Sequence, residues 1–152
     1  MANVYELSSR WHVNASREAL WEVFDELLDS PDPMPWWSAL QVVSNDGIEM
    51  RLKARSPIGY TLKFRVHDLV AAKPDTLTYA SDGDLRGSGS TTFHHVSETT
   101  CALDFRWHVS VDRAWMRGTS LVLRPMFVLG HDLVMAQGEK SLNAWLATRG
   151  RA

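Results

Sequence analysis

His131 is the side chain in this sequence best placed to do chemistry. An imidazole titrates near neutral pH, so it can hydrogen-bond a ligand oxygen or act as an acid or base. A buried neutral histidine paired with a backbone carbonyl or hydroxyl fits the same pattern, and the sequence leaves both roles open. The residue belongs to a mostly apolar stripe with helical spacing, made up of Arg124, Phe127, Val128, His131, Val134, Met135, Gly138, Leu142 and Trp145.

The polar residues near His131 do not complete a recognisable catalytic set. Asp132 follows it directly, and neighbours on a helix point about 100° apart, so we expect Asp132 to be a surface carboxylate. Arg124 could receive an acidic ligand group, although a long side chain near a helix bend more often extends into solvent. Catalytic residues therefore stay unassigned, with His131 the only candidate, and we favour a protein that is not an enzyme.

The sequence patterns of metal centres and nucleophilic enzymes are missing. His94 and His95 are consecutive in a predicted strand, so their side chains point to opposite faces. The run Ser88-Gly89-Ser90 lacks the spacing of a nucleophile elbow, and there is no HExxH motif or cysteine pair. The lone cysteine, Cys101, excludes an internal disulfide and is predicted to face inward. We predict no metal and no cofactor.

Length and composition limit the classes of partner. The 152 residues fit a single domain spanning residues 1–152, and 45% hydrophobic with 22% charged residues is typical of a globular protein. A net charge of −2 gives no general attraction to phosphate backbones, so we expect no nucleic-acid partner. Neither a secretory signal nor an apolar stretch of about 20 residues is present, which predicts a cytoplasmic protein without integral membrane association.

Alternating apolar and polar residues predict a mostly antiparallel sheet. The alternation is strictest around Trp107, where Leu103, Phe105, Val109 and Val111 share its face. Turn residues separate this run from the others, and most of the runs are expected to join as hairpins. The predicted strands cover residues 4–13, 40–43, 47–55, 61–67, 77–82, 86–96 and 102–112.

Two helices are predicted to accompany the sheet. Asn14 or Ser16 can cap a helix that runs to about residue 28, where the proline-rich segment 30–35 ends it and leads to Trp36 and Trp37. A second, long helix spans about residues 115–148 and breaks or bends near Pro125. A curved sheet around this helix would bury both apolar faces, enclosing a space that is either filled by side chains or open to a guest.

The order of these segments resembles the START-like, or SRPBCC, superfamily, and is most similar to its polyketide cyclase/dehydrase and lipid-transport-like branch. Four segments carry the resemblance: residues 15–21 (ASREALW), the pair Trp36-Trp37, residues 83–89 (GDLRGSG) and residues 130–138 (GHDLVMAQG). It covers nearly the whole chain and implies an α+β helix-grip fold. In that fold an antiparallel curved sheet of about seven strands wraps around a long C-terminal helix, with short helices after the first strand.

The resemblance implies a cavity rather than a reaction, because the superfamily includes lipid carriers, metabolite binders, aromatase/cyclases and co-chaperones. The leading hypothesis is binding or carriage of a hydrophobic or aromatic small molecule, such as a lipid or a polyketide-like metabolite. The predicted ligand-binding residues are Trp11, Met50, Phe64, Tyr79, Thr91, Phe105, Trp107, Phe127 and His131.

Two alternatives stay open. One is a polyketide cyclase or dehydratase in which His131 is the acid or base. The other is a co-chaperone-like interaction module that uses a basic outer face made of Arg51, Lys53, Lys63 and Arg65. The sequence does not distinguish a monomer from a homodimer.

Overall fold

The alternating segments form seven strands in the computed structural model, which describes residues 3–28, 30–111 and 120–149. All pair antiparallel in one sheet with the order β1-β7-β6-β5-β4-β3-β2, so β2 to β7 form a continuous meander and β1 is added beside β7. The predicted α+β class and sheet are confirmed. The strands are β1 (Asn3–Val13), β2 (Leu40–Asn45), β3 (Glu49–Arg55), β4 (Thr61–Ala72), β5 (Thr76–Gly83), β6 (Leu85–His95) and β7 (Cys101–Val111).

Two helices complete the described part of the chain, α1 (Arg17–Leu28) and α2 (Ser120–Arg149). Ser16 caps α1 as predicted, because its Oγ accepts a hydrogen bond of 3.1 Å from the amide of Ala19. Pro125 lies inside α2, as predicted. The predicted start of this helix near residue 115 and the side chain of Arg124 lie outside the described residues. The long helix α2 and the curved seven-stranded sheet together form the predicted helix-grip arrangement.

Direct hydrogen bonds hold α2 against β1. The amide of His12 donates to Glu139 Oε2 at 2.6 Å. The side-chain amide of Asn143 accepts from the amide of Asn14 and donates to the carbonyl of His12, both at 2.8 Å. Gly138 allows α2 to lie close to two tryptophan rings, because a Cβ there would lie 2.6 Å from the Trp37 ring and 2.7 Å from the Trp11 ring. These contacts fix the C-terminal half of α2 in place.

The buried core divides into two groups of side chains. One surrounds the tryptophans at the α1 end of the molecule and includes Trp11, Leu20 and Leu142. The other lies toward the N-terminal half of α2 and includes Leu52, Phe64 and Phe127. Both groups contribute residues to one open space between them.

β4 is longer than predicted, because it continues past His67 to Ala72. Its pairing with β5 shifts register between His67 and Val70, and Asp68 adopts a positive φ of 54°. Aspartate tolerates this left-handed conformation better than most residues. The irregularity interrupts the alternation that a sequence pattern can detect, and it places Leu69 and Ala71 at the edge of the open space.

Candidate ligand-binding site

A cavity of about 440 Å³ lies between the concave face of the sheet and α2. This volume falls within the range of small-molecule sites. Its wall contains all nine side chains predicted from the sequence to bind ligand: Trp11, Met50, Phe64, Tyr79, Thr91, Phe105, Trp107, Phe127 and His131. The structure thus brings these residues together around one space.

Aromatic rings make up much of the wall. The Trp11 ring centroid lies 4.6 Å from that of Phe105 and 5.1 Å from that of Trp37. Trp107 contacts Phe64 at 5.5 Å and Tyr79 at 6.4 Å between ring centroids. Such a wall offers extensive apolar contact to a guest, together with the ring geometries that favour aromatic molecules.

A hydroxyl pair on the sheet supplies one polar point. The Thr91 side chain interacts with the Tyr79 hydroxyl, and burial raises the pKa of Tyr79 to about 12, so this hydroxyl stays protonated at neutral pH. The Tyr79 ring lies over Gly89, its direct partner in the β5–β6 pairing, where a Cβ would come within 2.6 Å of the ring. A missing side chain at residue 89 therefore makes room for Tyr79.

Tyr60 is a second hydroxyl on the wall, and it was not among the predicted site residues. It donates a hydrogen bond of 2.8 Å to the carbonyl of Phe127 and is also bonded to the Ser56 side chain. Burial raises its pKa to about 12. Gly130 permits this contact, because a Cβ there would collide with the Tyr60 hydroxyl. The sequence carried a signal for this position, because Tyr60 is spaced by two residues from the inward-facing Leu62, and Leu62 by two from Phe64. This spacing puts all three side chains on the same face of the extended segment.

His131 lies on the helix wall, facing the sheet across the cavity. Its side chain is 12% exposed, whereas that of the neighbouring Asp132 is 62% exposed. The Nδ1 atom is buried without a hydrogen bond to any described residue, and its nearest acid is Asp132 Oδ1 at 3.5 Å. Burial lowers the pKa of His131, with Asp132 partly opposing the effect. The imidazole is therefore neutral at pH 7.

The mouth of the cavity lies between the C-terminal half of α1 and the end of β4. Only there do exposed side chains enter the described lining, namely Asp25, Leu28, Leu69, Ala71 and Lys73. Lys73 Nζ is 2.5 Å from Asp25 Oδ2, which joins the two sides of the mouth. The indole of Trp21 reinforces the link by donating a 2.9 Å hydrogen bond to the carbonyl of Pro74. Sequence reasoning missed this pair, because nothing local connects residues 48 positions apart.

Several other polar residues considered from the sequence lie away from the cavity wall. Ser81 is buried, but neither it nor Ser9 belongs to the lining. His94 bonds Asp104 at 2.7 Å and His95 is exposed. Cys101 is buried, and burial raises the pKa of its thiol to about 11. Within the described ranges, no cluster of three or more histidine, cysteine, aspartate or glutamate side chains could hold a metal ion.

The predicted basic outer face is partly neutralised. Arg65 contacts Asp82 at 2.6 Å and Glu49 at 2.9 Å, and Arg51 lies 3.6 Å from the same Glu49.

Val128, which the helical stripe placed inward, is 36% exposed on the outer side of α2. Of the helices in the described part of the chain, none has the length and apolar character needed to cross a bilayer.

Solved structures of known proteins share this architecture over nearly their full length. The aromatase/cyclase Zhui from Streptomyces sp. R1128 matches with a TM-score of 0.68 and 16% identity, covering 99% of this chain and 98% of that one. A START superfamily protein from Mycobacterium smegmatis matches with a TM-score of 0.64 and 15% identity, covering 94% and 97%. The chain has the START-like, helix-grip fold. Searches against protein-family models and curated proteins return no match to the sequence.

A longer, two-domain protein shares this fold over about half of its length. The di-domain aromatase/cyclase of the steffimycin biosynthetic pathway matches with a TM-score of 0.66 and 15% identity, and 98% of the present chain aligns with 53% of that one. At these identities the likeness establishes the START-like fold, and the chemistry has to be argued from the side chains of this chain.

Proposed function

We propose that this START-like protein binds or carries a hydrophobic or aromatic small molecule in the cavity between the sheet and α2. The observation that supports this most directly is the open space of about 440 Å³, walled by apolar side chains from both halves of the core. Burying a guest there would contribute about 25 cal/mol per Å² of apolar surface, before the costs of association.

The size of the space favours one compact guest. A volume near 440 Å³ suits a single-chain lipid or a molecule with a few fused rings, such as a polyketide-like metabolite. Trp107 and Phe127 would supply apolar contact from opposite walls. His131 and Tyr79 would orient the guest through hydrogen bonds to its polar atoms.

The first experiment is native mass spectrometry of the protein purified from its own host, followed by solvent extraction of anything bound. We expect a stoichiometric apolar molecule. A parallel titration with the uncharged fluorescent probe N-phenyl-1-naphthylamine tests whether the cavity binds an apolar molecule once any natural guest has been removed. A protein that carries no guest and also fails to bind this probe would contradict the proposal.

Substitutions then locate the guest. Trp107→Leu and Phe127→Leu should weaken probe binding about tenfold, because each removes ring contact from the wall. Val128→Ala is the matched control on the outer side of α2 and should leave affinity unchanged. His131→Gln should alter the preference among oxygen-bearing ligands more than it alters overall affinity. Wild-type affinity in both Trp107→Leu and Phe127→Leu would remove these two residues from the site.

A cyclase or dehydratase is the second candidate. Two observations favour it: the unpaired Nδ1 of His131 on the wall, and the presence of aromatase/cyclases among the structural neighbours. Proximity of the reacting groups would supply much of the rate, with His131 moving a proton during ring closure or water loss. Turnover lost in His131→Asn with product binding retained would support this function, whereas unchanged turnover would exclude His131 from the mechanism.

The interaction-module alternative has less support from the contacts. Arg51 and Arg65 of the predicted basic face are paired with carboxylates on the same sheet. Capture of one specific partner, independent of any cavity ligand, would be needed to favour it.

A further inference from the structure

Ionised groups in the cavity lining are confined to its mouth. Among the described lining residues, Asp25 and Lys73 are the only members of the Asp, Glu, Lys and Arg types. Their side chains are 46% and 49% exposed and they contact each other at 2.5 Å. Each charge at the mouth is therefore already matched by the other.

Deeper in the cavity the polar groups are neutral. Tyr60 and Tyr79 keep their protons, and the buried imidazole of His131 is uncharged at pH 7. The Tyr79–Thr91 hydroxyl pair lies on the sheet wall and His131 lies on the helix wall, so polar contact is available from two sides. Hydroxyls and a neutral imidazole can each donate and accept hydrogen bonds.

We propose that the guest is uncharged along its whole length and carries neutral hydrogen-bonding atoms, such as ketone or hydroxyl oxygens, on two sides of an aromatic or fused-ring body. This deepens the proposed function and rests on it. An ionised group deep in the cavity would lose its hydration and find no opposite charge among the described lining residues, so its binding is disfavoured.

An anionic head group at the mouth is disfavoured as well. It would gain Lys73 only by displacing Asp25, and the two negative charges would then lie close together. The described lining thus disfavours carboxylates, sulfonates and phosphates at both depths, so we expect ionised fatty acids and phospholipid head groups to bind more weakly than uncharged guests.

Two probes with one skeleton test this directly. N-phenyl-1-naphthylamine is uncharged, and 8-anilinonaphthalene-1-sulfonate is the same molecule with a sulfonate added. We expect the uncharged probe to bind with at least about tenfold higher affinity. We also expect Asp25→Asn, which frees Lys73, to raise the affinity for the sulfonate probe relative to that for the neutral probe by up to about fivefold.

The possible outcomes distinguish the proposed binding function from the proposal that the guest is uncharged. Failure of both probes to bind would contradict the proposed function. Equal or tighter binding of the sulfonate, displaced by the neutral probe and lost in Lys73→Met, would overturn the uncharged-guest proposal while leaving a binding function intact. A cavity-filling variant, Ala54→Phe, should weaken the neutral probe and so verifies that binding is inside the cavity.

Discussion

Single residues set the shape of the cavity as much by absent side chains as by present ones. Gly89 leaves space for the Tyr79 ring, Gly130 for the Tyr60 hydroxyl, and Gly138 for Trp11 and Trp37. The contacts of Gly130 and Gly138 join α2 to distant segments, whereas Gly89 and Tyr79 are partners on neighbouring strands. At residue 89 the missing side chain makes room for an aromatic ring on the wall of the cavity.

Gly89→Ala tests that contact. The added Cβ would lie 2.6 Å from the Tyr79 ring, so the ring has to move and its position beside Thr91 changes. We expect a loss of about 1–3 kcal/mol in the free energy of unfolding, measured by urea denaturation, together with weaker probe binding. Ser88→Ala, at the adjacent exposed position, should change stability by less than about 0.5 kcal/mol. An equally stable Gly89→Ala protein would show that the ring is free to shift.

His131 gives a pH dependence whose sign follows from its lowered pKa. The unfolded chain binds a proton at the ordinary histidine pKa of 6.5, whereas the folded protein resists protonation until a lower pH. The stabilisation is thus fully present above pH 6.5 and is lost progressively as the pH falls below it. Urea denaturation at about pH 7.5 and about pH 5.5 should show a larger loss of stability in the wild type than in His131→Gln. Parallel pH profiles for the two proteins would contradict the burial of a neutral imidazole.

At the scale of elements, the sequence predicted most of the strands and helices but little of the structure around the cavity mouth. Strict alternation identified β7 around Trp107, and helical spacing identified α2 with Phe127 and His131 facing inward. The end of β4 was missed because the bulge at Asp68 breaks the two-residue period. Periodicity also assigns a face only approximately, and Val128 at the margin of the stripe turned out to be exposed.

The nine predicted cavity residues could be found because each lies on a regular element whose inward face is readable from its neighbours. The Asp25–Lys73 pair could not, since it depends on how the end of α1 and the end of β4 approach each other in space. Charged residues on exposed helices and turns are common, and no local pattern distinguishes this pair from other surface charges.

The link between α1 and β4 should control how fast a guest enters and leaves. In Asp25→Asn the bond across the mouth is weakened, so association and dissociation rates of N-phenyl-1-naphthylamine should both rise, by up to about fivefold, with a smaller change in affinity. Added salt should accelerate exchange in the wild type but not in the variant. Stopped-flow fluorescence measures both rates.

The matched control uses the next residue of the same helix. Glu26 bonds Arg149 at 2.7 Å, and neither residue lines the cavity. Glu26→Gln therefore breaks a comparable ion pair without touching the mouth and should leave the exchange rates unchanged. Faster exchange in both variants would mean that α1 moves as a whole.

On the scale of the whole molecule, an internal space of this size couples binding to stability. The side chains around an empty cavity lack contacts that a guest would supply, and a guest that binds only the folded state stabilises it. At a free probe concentration of 100 times its Kd, the free energy of unfolding should rise by about 2.7 kcal/mol. Urea unfolding with and without N-phenyl-1-naphthylamine measures this rise, and Ala54→Phe should show a smaller one. No rise in the wild type would indicate that the probe binds outside the folded core.

The hydrogen bonds between α2 and β1 also determine how this molecule meets copies of itself. β1 is an edge strand, and unpaired edge groups can template the addition of a strand from another chain. Glu139 accepts a hydrogen bond from the outward-facing amide of His12. The side-chain amide of Asn143 accepts from the amide of Asn14 and donates to the carbonyl of His12, as the peptide group of a neighbouring strand would. The helix that closes the cavity therefore also protects this end of the sheet from aggregation, so loosening α2 to admit a larger guest would carry the risk of intermolecular strand pairing.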